Sequence, residues 1–291
     1  MAEQSKIEAI KSLKERTGAG MMDCKKALEE NDYDIEKAID VLREKGIVKA
    51  AKRANRTAAE GLAVIKTCDG CGKAAIIEVN CETDFVSATD KFHAFGEGAA
   101  EFVLKNEPAS IEEAQAGVKD LQDATALATG EKLVFRRYKI LKKAESQGFG
   151  TYIHMGGKIG VVVILEKEDA ELANQLAMHI AANNPLYLAL EDVPAAERER
   201  EQKIAETEVA NDEKLANKPE QVKAQIAQRK VDKVLSQSCL TFQKWLLDES
   251  KTVGQLLGEK IGHEMVHRVL MHDSRSVAAH GYGLLIIASK F

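Results

Sequence analysis

One pattern occurs twice in this chain and limits most strongly what it can fold into. A strand-like run, Leu62 to Lys66, leads through Asp69, Gly70 and Gly72 to a second run, Ala74 to Val79, and then to a helical stretch from about Ser87 to Leu104. Further on, Gly150 to Met155 leads through Gly156, Gly157 and Lys158 to a run from Ile159 to Leu165, and then to a helical stretch from Ala170 to Ala182. Glycine-rich pairs between runs of β-formers are hairpin turns, because the tight turn needs positive φ. A hairpin has one apolar face to bury, and the helix that follows is its nearest partner. Two such units predict two related α+β halves rather than a long solenoid.

The flanking segments are helical. Ile7, Ile10 and Leu13 line one face of a first helix, and Thr17 to Gly20 break it. Met21 to Glu30 reads as a second helix. Asn31 to Asp34 supply a turn and an N-cap for a third, where Ile35, Ala38, Ile39 and Leu42 keep helical spacing and Gly46 is the expected stop. The basic, Ala-rich stretch from Lys49 to Arg56 reads as a linker. Ser110 with Glu113 predicts a capping box for a helix after the first hairpin. Residues 195–236 are heavily charged and broken only at Asn217 to Pro219, which predicts an antiparallel helical hairpin. Its apolar edge is thin, with Ile204, Val209 and Leu215 on the first helix and Val222, Ile226 and Val234 on the second. A solvated face is the default for so polar a hairpin. Projection from the body or pairing with another chain, hence a homodimer through the hairpin or the core, stays open.

Composition narrows the function classes. Aromatics make up 5% and charged residues 30%, so the cores must be built of Ala, Leu and Val. A net charge of −5 gives no electrostatic case for direct nucleic-acid binding. The polar residues after Met1 lack a signal-peptide pattern, and no apolar run is long enough to cross a bilayer, so a cytoplasmic protein without a membrane partner is expected. Five scattered cysteines make no disulfide framework. Cys68 and Cys71 form a C-x-x-C in a hairpin turn, away from the helix start that a redox pair uses and without a second pair to complete a zinc site. They read as two incidental turn cysteines.

His263-Glu264-Met265-Val266-His267 has H-E-x-x-H spacing, which on a helix places two imidazoles on one face with a carboxylate to activate water. A third ligand is missing, since His272 is one residue short of the metzincin spacing and no acid follows Asp273. Adventitious metal binding by His263, His267, His272 and His280 is a better reading than catalysis, and no dedicated metal site is expected. No phosphate-binding loop and no nucleophile–base set is present, so the chain is not expected to be an enzyme in its own right and no cofactor is implied.

The segment Thr83-Asp84-Phe85-Val86 is left over. Thr83 or Asp84 can cap a helix, while Phe85 and Val86 differ by about 100° around it. If Val86 joins Phe92 and Phe95 in the core, Phe85 faces away from them. Spacing alone leaves Phe85 between core and surface, and an exposed aromatic beside a carboxylate is a candidate interface hot spot.

Two long stretches resemble bacterial translation elongation factor Ts, the family of nucleotide-exchange factors for the GTPase elongation factor Tu. They are Leu13 to Leu28 (LKERTGAGMMDCKKAL) and Glu78 to Val86 (EVNCETDFV), joined by Met178 to Ala182 and Ser250 to Leu257. The resemblance implies a ubiquitin-associated-like three-helix domain with linker at residues 1–56 and a two-subdomain α+β core. The core subdomains would be residues 57–147 and residues 148–193 with 237–257, with the helical hairpin inserted at 194–236. It also implies a partner, GDP-bound elongation factor Tu, whose Mg²⁺ and phosphate site is disturbed so that GDP leaves and GTP enters. Thr83, Asp84, Phe85 and Val86 would form the wedge near the magnesium, Met21 and Met22 a second contact, and His154 a further one. Lys14 stands where the family usually has Arg. Beyond Gly258 the resemblance stops, and residues 258–291 read either as an altered reading frame or as a divergent terminus.

Overall fold

The computed structural model describes residues 3–261 and two short strands at 271–272 and 286–287. It divides into two compact units. The first holds residues up to Lys142 together with Ile153–Gly160, and the second holds Lys143–Tyr152 and the chain from Val161 on.

The first unit opens with α1 (Glu3–Thr17), α2 (Met21–Glu30) and α3 (Ile35–Arg53). Leu13, Cys24, Ala27, Leu28, Ala38 and Leu42 form their common core. Asn31 Nδ2 donates to Ala27 O at 2.8 Å at the end of α2, and Asp34 Oδ1 accepts from Lys37 N at 3.1 Å at the start of α3, so side chains satisfy the helix-end groups there. Gly46 does not end α3. A Cβ there would meet Leu127 Cδ1 at 3.9 Å, so the residue lies alongside a later helix, and the expected linker is helical as far as Arg53. The Arg53 guanidinium donates to Ala126 O at 3.0 Å and Glu131 O at 2.8 Å. These tertiary bonds outweigh the roughly 1 kcal/mol that an internal glycine costs a helix.

The α+β part of this unit is a three-stranded antiparallel sheet, β1 (Glu60–Cys68), β2 (Lys73–Cys81) and β3 (Val134–Lys142), with β2 in the centre. Ala75, Ile77, Val79 and Cys81 of β2 face α5 (Asp90–Asn106) and α6 (Ile111–Thr129) through Phe92, Phe95, Ala99, Val103 and Val118. On the other face, Glu78 is buried and paired with Arg136 and Arg137. Gly160 lets the tip of the second hairpin approach this sheet, since a Cβ on it would lie 2.8 Å from that of Ala63.

Two expectations change here. The single helix expected after β2 is two, a one-turn α4 (Asp84–Ser87) and then α5, because Thr89 caps a new start by accepting from Phe92 N at 3.3 Å. Cys68 and Cys71 are not incidental: a disulfide joins them across the first turn with their Cα atoms 5.5 Å apart, and Gly72, directly after the pair, takes φ 60° where the chain enters β2. The expected capping of α6 is present in modified form, since Ser110 accepts from Glu113 N but Glu113 reaches back to Ala109 N.

In the second half of the chain, β4 (Gly148–His154) and β5 (Ile159–Leu165) pair, and α7 (Ala170–Asn183) follows behind an Asp169 cap. Then come α8 (Ala195–Asn211) and α9 (Glu220–Ser236), the short strands β6 (Lys244–Trp245) and β7 (Asp248–Thr252), and α10 (Val253–Ile261). The α8–α9 seam is narrow, with Ala205 and Val209 against Ala227, Val231 and Leu235, whereas Ile204 and Val234 lie outside it. Small residues allow close helix approach, so little apolar area is needed to hold the hairpin. Its surface ion pair Lys230–Glu208, at 2.8 Å, adds little. At the far end, β8 (Met271–His272) and β9 (Ile286–Ile287) pair in parallel. His263, Glu264, His267 and His280 lie outside the described residues, as does most of the 258–291 tail.

His179 on α7 sets an acid limit on the second unit. Its ring is buried, stacks on Trp245 with centroids 5.3 Å apart, lies 3.1 Å from Gln243 Oε1 through Nε2 and accepts from Leu246 N at 3.3 Å through Nδ1. That pattern requires the neutral tautomer with the proton on Nε2, because a proton on Nδ1 would face the Leu246 N–H. Burial lowers the imidazole pKa below its usual range, and the Gln243 bond opposes this in part. The folded value is therefore below the unfolded one. The stabilisation is complete above the unfolded value near 6.5 and is lost as pH falls through the folded value. The wild type is expected to show a lower urea midpoint at pH 5 than at pH 7.5, with the difference reduced in His179→Gln.

Candidate functional site

The exposed turn after β2 is built from the strand outward. Cys81 ends β2 in the core, and its thiol donates to Thr83 O at 3.1 Å. Burial, reinforced by the negative charge of Glu131, pushes this thiol up to about 12, so it stays protonated and keeps that bond. Thr83 caps α4 by accepting from Val86 N at 3.3 Å. Ser87, buried at the end of the turn, donates to Asp84 O at 2.9 Å. Val86 packs on the sheet core, and Phe85, one position earlier, is 83% exposed. Of the two placements that spacing left open, Phe85 takes the outward one. The Asp84 side chain is exposed beside it. A large apolar ring is thus held on a capped turn whose backbone is bonded at both ends.

Met21 and Met22 begin α2 and are 48% and 74% exposed, whereas Cys24, Ala27 and Leu28 fill the core below them. The start of α2 borders a cleft of about 440 Å³ lined by Gly20, Asp23, Arg53, Arg56 and Leu127–Gly130. His154 is exposed at the turn between β4 and β5. Its neighbour Met155, which sequence reasoning passed over, is 71% exposed with φ 50°. An apolar residue directly before Gly-Gly in a hairpin turn was the available signal, since such a tip has no core beneath it. Glu131 was also missed. Its carboxylate meets the turn entering α4 from 48 residues away, a separation at which periodicity carries no information.

Among the described residues, no group of three or more His, Cys, Asp or Glu side chains could hold a metal ion, and no helix is long and apolar enough to cross a membrane. The described surface offers an exposed aromatic ring, a neighbouring carboxylate and separate exposed methionines. Exposed aromatic and methionine side chains are the residue types enriched at protein–protein interfaces.

Comparison with known proteins agrees with the family resemblance, but the family match runs past Gly258, where the sequence reading ended it, to residue 272. Residues 82–272 match the family described as elongation factor TS. The chain is 42% identical over 266 residues to elongation factor Ts of Lactiplantibacillus plantarum, covering 89% of each sequence. With the family matched across well over half its length and a relative 42% identical across 89% of it, the chain belongs to the elongation factor Ts family.

Proposed function

We propose that this chain is a nucleotide-exchange factor for elongation factor Tu and that it acts by presenting Phe85, with Asp84, to the Mg²⁺ and phosphate site of the GDP-bound GTPase. The observation that carries the reading is an 83% exposed phenylalanine on a turn tied to the sheet core by Val86 and Ser87. An exposed aromatic ring costs the free protein favourable burial, and a docked partner supplies it. Mg²⁺ requires near-ideal octahedral geometry, so a small displacement of an element bearing one of its ligands weakens the metal and the GDP it bridges. No covalent bond is made or broken. The factor works through a coupling free energy, weakening GDP by the same factor by which GDP weakens it. Met21, Met22 and His154 add contacts outside the wedge and secure the complex.

The test is release of a fluorescent GDP analogue from elongation factor Tu, followed by stopped flow with increasing amounts of this protein. The expected result is a release rate that rises and saturates with factor concentration. An unchanged rate overturns the reading.

A further inference from the structure

The turn that carries Asp84 and Phe85 is held by one carboxylate from a distant part of the chain. Glu131 follows Gly130, whose φ of 79° ends α6. Its Oε2 accepts from Glu82 N at 2.9 Å and Thr83 N at 3.1 Å, and its Oε1 accepts from Thr83 Oγ1 at 2.6 Å. The grip is reciprocal, since Glu82 Oε1 accepts from Lys132 N at 2.6 Å. Every polar atom of Thr83 is thereby engaged, its carbonyl accepting from Cys81 Sγ and from Ser87 N at 3.2 Å. A carboxylate receiving three charge-assisted bonds from two consecutive residues fixes their backbone direction, and with it the direction of the next two side chains.

The clamp is also tied to the end of the three-helix module. Arg53 donates to Glu131 O at 2.8 Å, Arg56 to Glu82 at 3.2 Å, and Lys132 Nζ to Ala54 O at 2.6 Å and Arg56 O at 3.0 Å. The end of α3, the turn after α6 and the entry to α4 are therefore one hydrogen-bonded unit.

We propose that Glu131 is a positioning residue for nucleotide exchange: it touches no part of the partner, and it fixes the angle at which the Asp84–Phe85 turn is presented. This rests on the reading of that turn as the exchange element. Glu131→Gln keeps the size of the side chain but replaces one acceptor oxygen by a donor and removes the charge. In that variant the saturating GDP-release rate is expected to fall by about tenfold, while the half-saturating concentration stays within about twofold, because Met21, Met22 and Phe85 are all still present. Hydrogen exchange at the Glu82 and Thr83 amides is expected to accelerate, with protection of the β1–β2 amides unchanged. In a Phe85→Ala background, Glu131→Gln is expected to add no further loss, since a residue acting only through the wedge has nothing left to aim.

A full wild-type rate in Glu131→Gln, or losses that multiply in the double variant, overturns the proposal. Thr83→Val removes the Oγ1 bond from the other side and is expected to reproduce the non-additivity if Glu131→Gln folds poorly. If Phe85→Ala alone exchanges like the wild type, the reading of the turn has failed. If Phe85→Ala is impaired and Glu131→Gln is not, only the positioning role has failed.

Discussion

Phe85→Ala is expected to slow factor-stimulated GDP release by roughly 30-fold or more, corresponding to the ~2 kcal/mol or more of an aromatic hot spot. The same substitution is expected to leave the melting temperature of the free protein unchanged, because the ring is 83% exposed and outside the core that Val86 joins. Loss of function without loss of stability is the signature that separates a wedge from a packing residue. Val86→Ala should behave in the opposite sense and lower stability first. Met22→Ala, also on an exposed residue, is expected to raise the factor concentration needed for half-maximal release with little change in the saturating rate, because the proposed mechanism gives Met22 a role in binding and none at the metal site. Stopped-flow titrations of the three variants, paired with thermal melts, test the whole pattern. A wild-type saturating rate in Phe85→Ala would contradict the proposed mechanism even if the protein proved to be an active exchange factor.

The largest effect expected on stability comes from adding a single methyl group. Gly150 lies on β4 where the strand crosses α7, and a Cβ there would sit 2.1 Å from the carbonyl carbon of Ala173 and 2.2 Å from its oxygen. Both atoms belong to helix backbone, which cannot swing aside as a side-chain end can. The strand or the helix must move, and with it Thr151, whose N–H donates to Asn174 Oδ1 at 2.8 Å. Gly150→Ala is expected to destabilise by about 3 kcal/mol and to lower the melting temperature by roughly 6–12 °C. Gly70→Ala in the first hairpin turn is the control: nothing lies within 4 Å of a Cβ there, and no loss is expected. Differential scanning calorimetry on the two variants compares them directly. Equal melting temperatures would mean that β4 and α7 can separate without cost.

Much of this molecule is decided by local pattern. Both glycine-turn hairpins, α2 at Met21–Glu30, β5 at Ile159–Leu165, and the polar helical pair α8 and α9 follow from residues within a few positions of one another. Turn chemistry and side-chain period act over those distances, so they can be read directly along the chain. The same holds for the existence of the Asp84–Phe85 turn, since Thr83 caps it and Val86 anchors it within three residues.

What tertiary structure decided lies at long separation. Gly46 looks like a helix stop until Leu127 lies against it and Arg53 finds the carbonyls of Ala126 and Glu131. The third strand, β3, has no hairpin signal, because it pairs with β2 across the whole of α5 and α6. Phe85 was undecided by spacing and became an exposed ring only once Val86 had taken the inward place on the sheet. Glu131 could not be singled out at all, because a carboxylate becomes a clamp only when folding brings the Glu82 and Thr83 amides to it. Sequence by itself determined the two glycine-turn hairpins and most of the helices, because those depend on dihedral preference and period. Only the packed structure determined which helix runs on, which aromatic ring is left outside and which distant carboxylate holds it, because burial and hydrogen-bond satisfaction are properties of the whole chain.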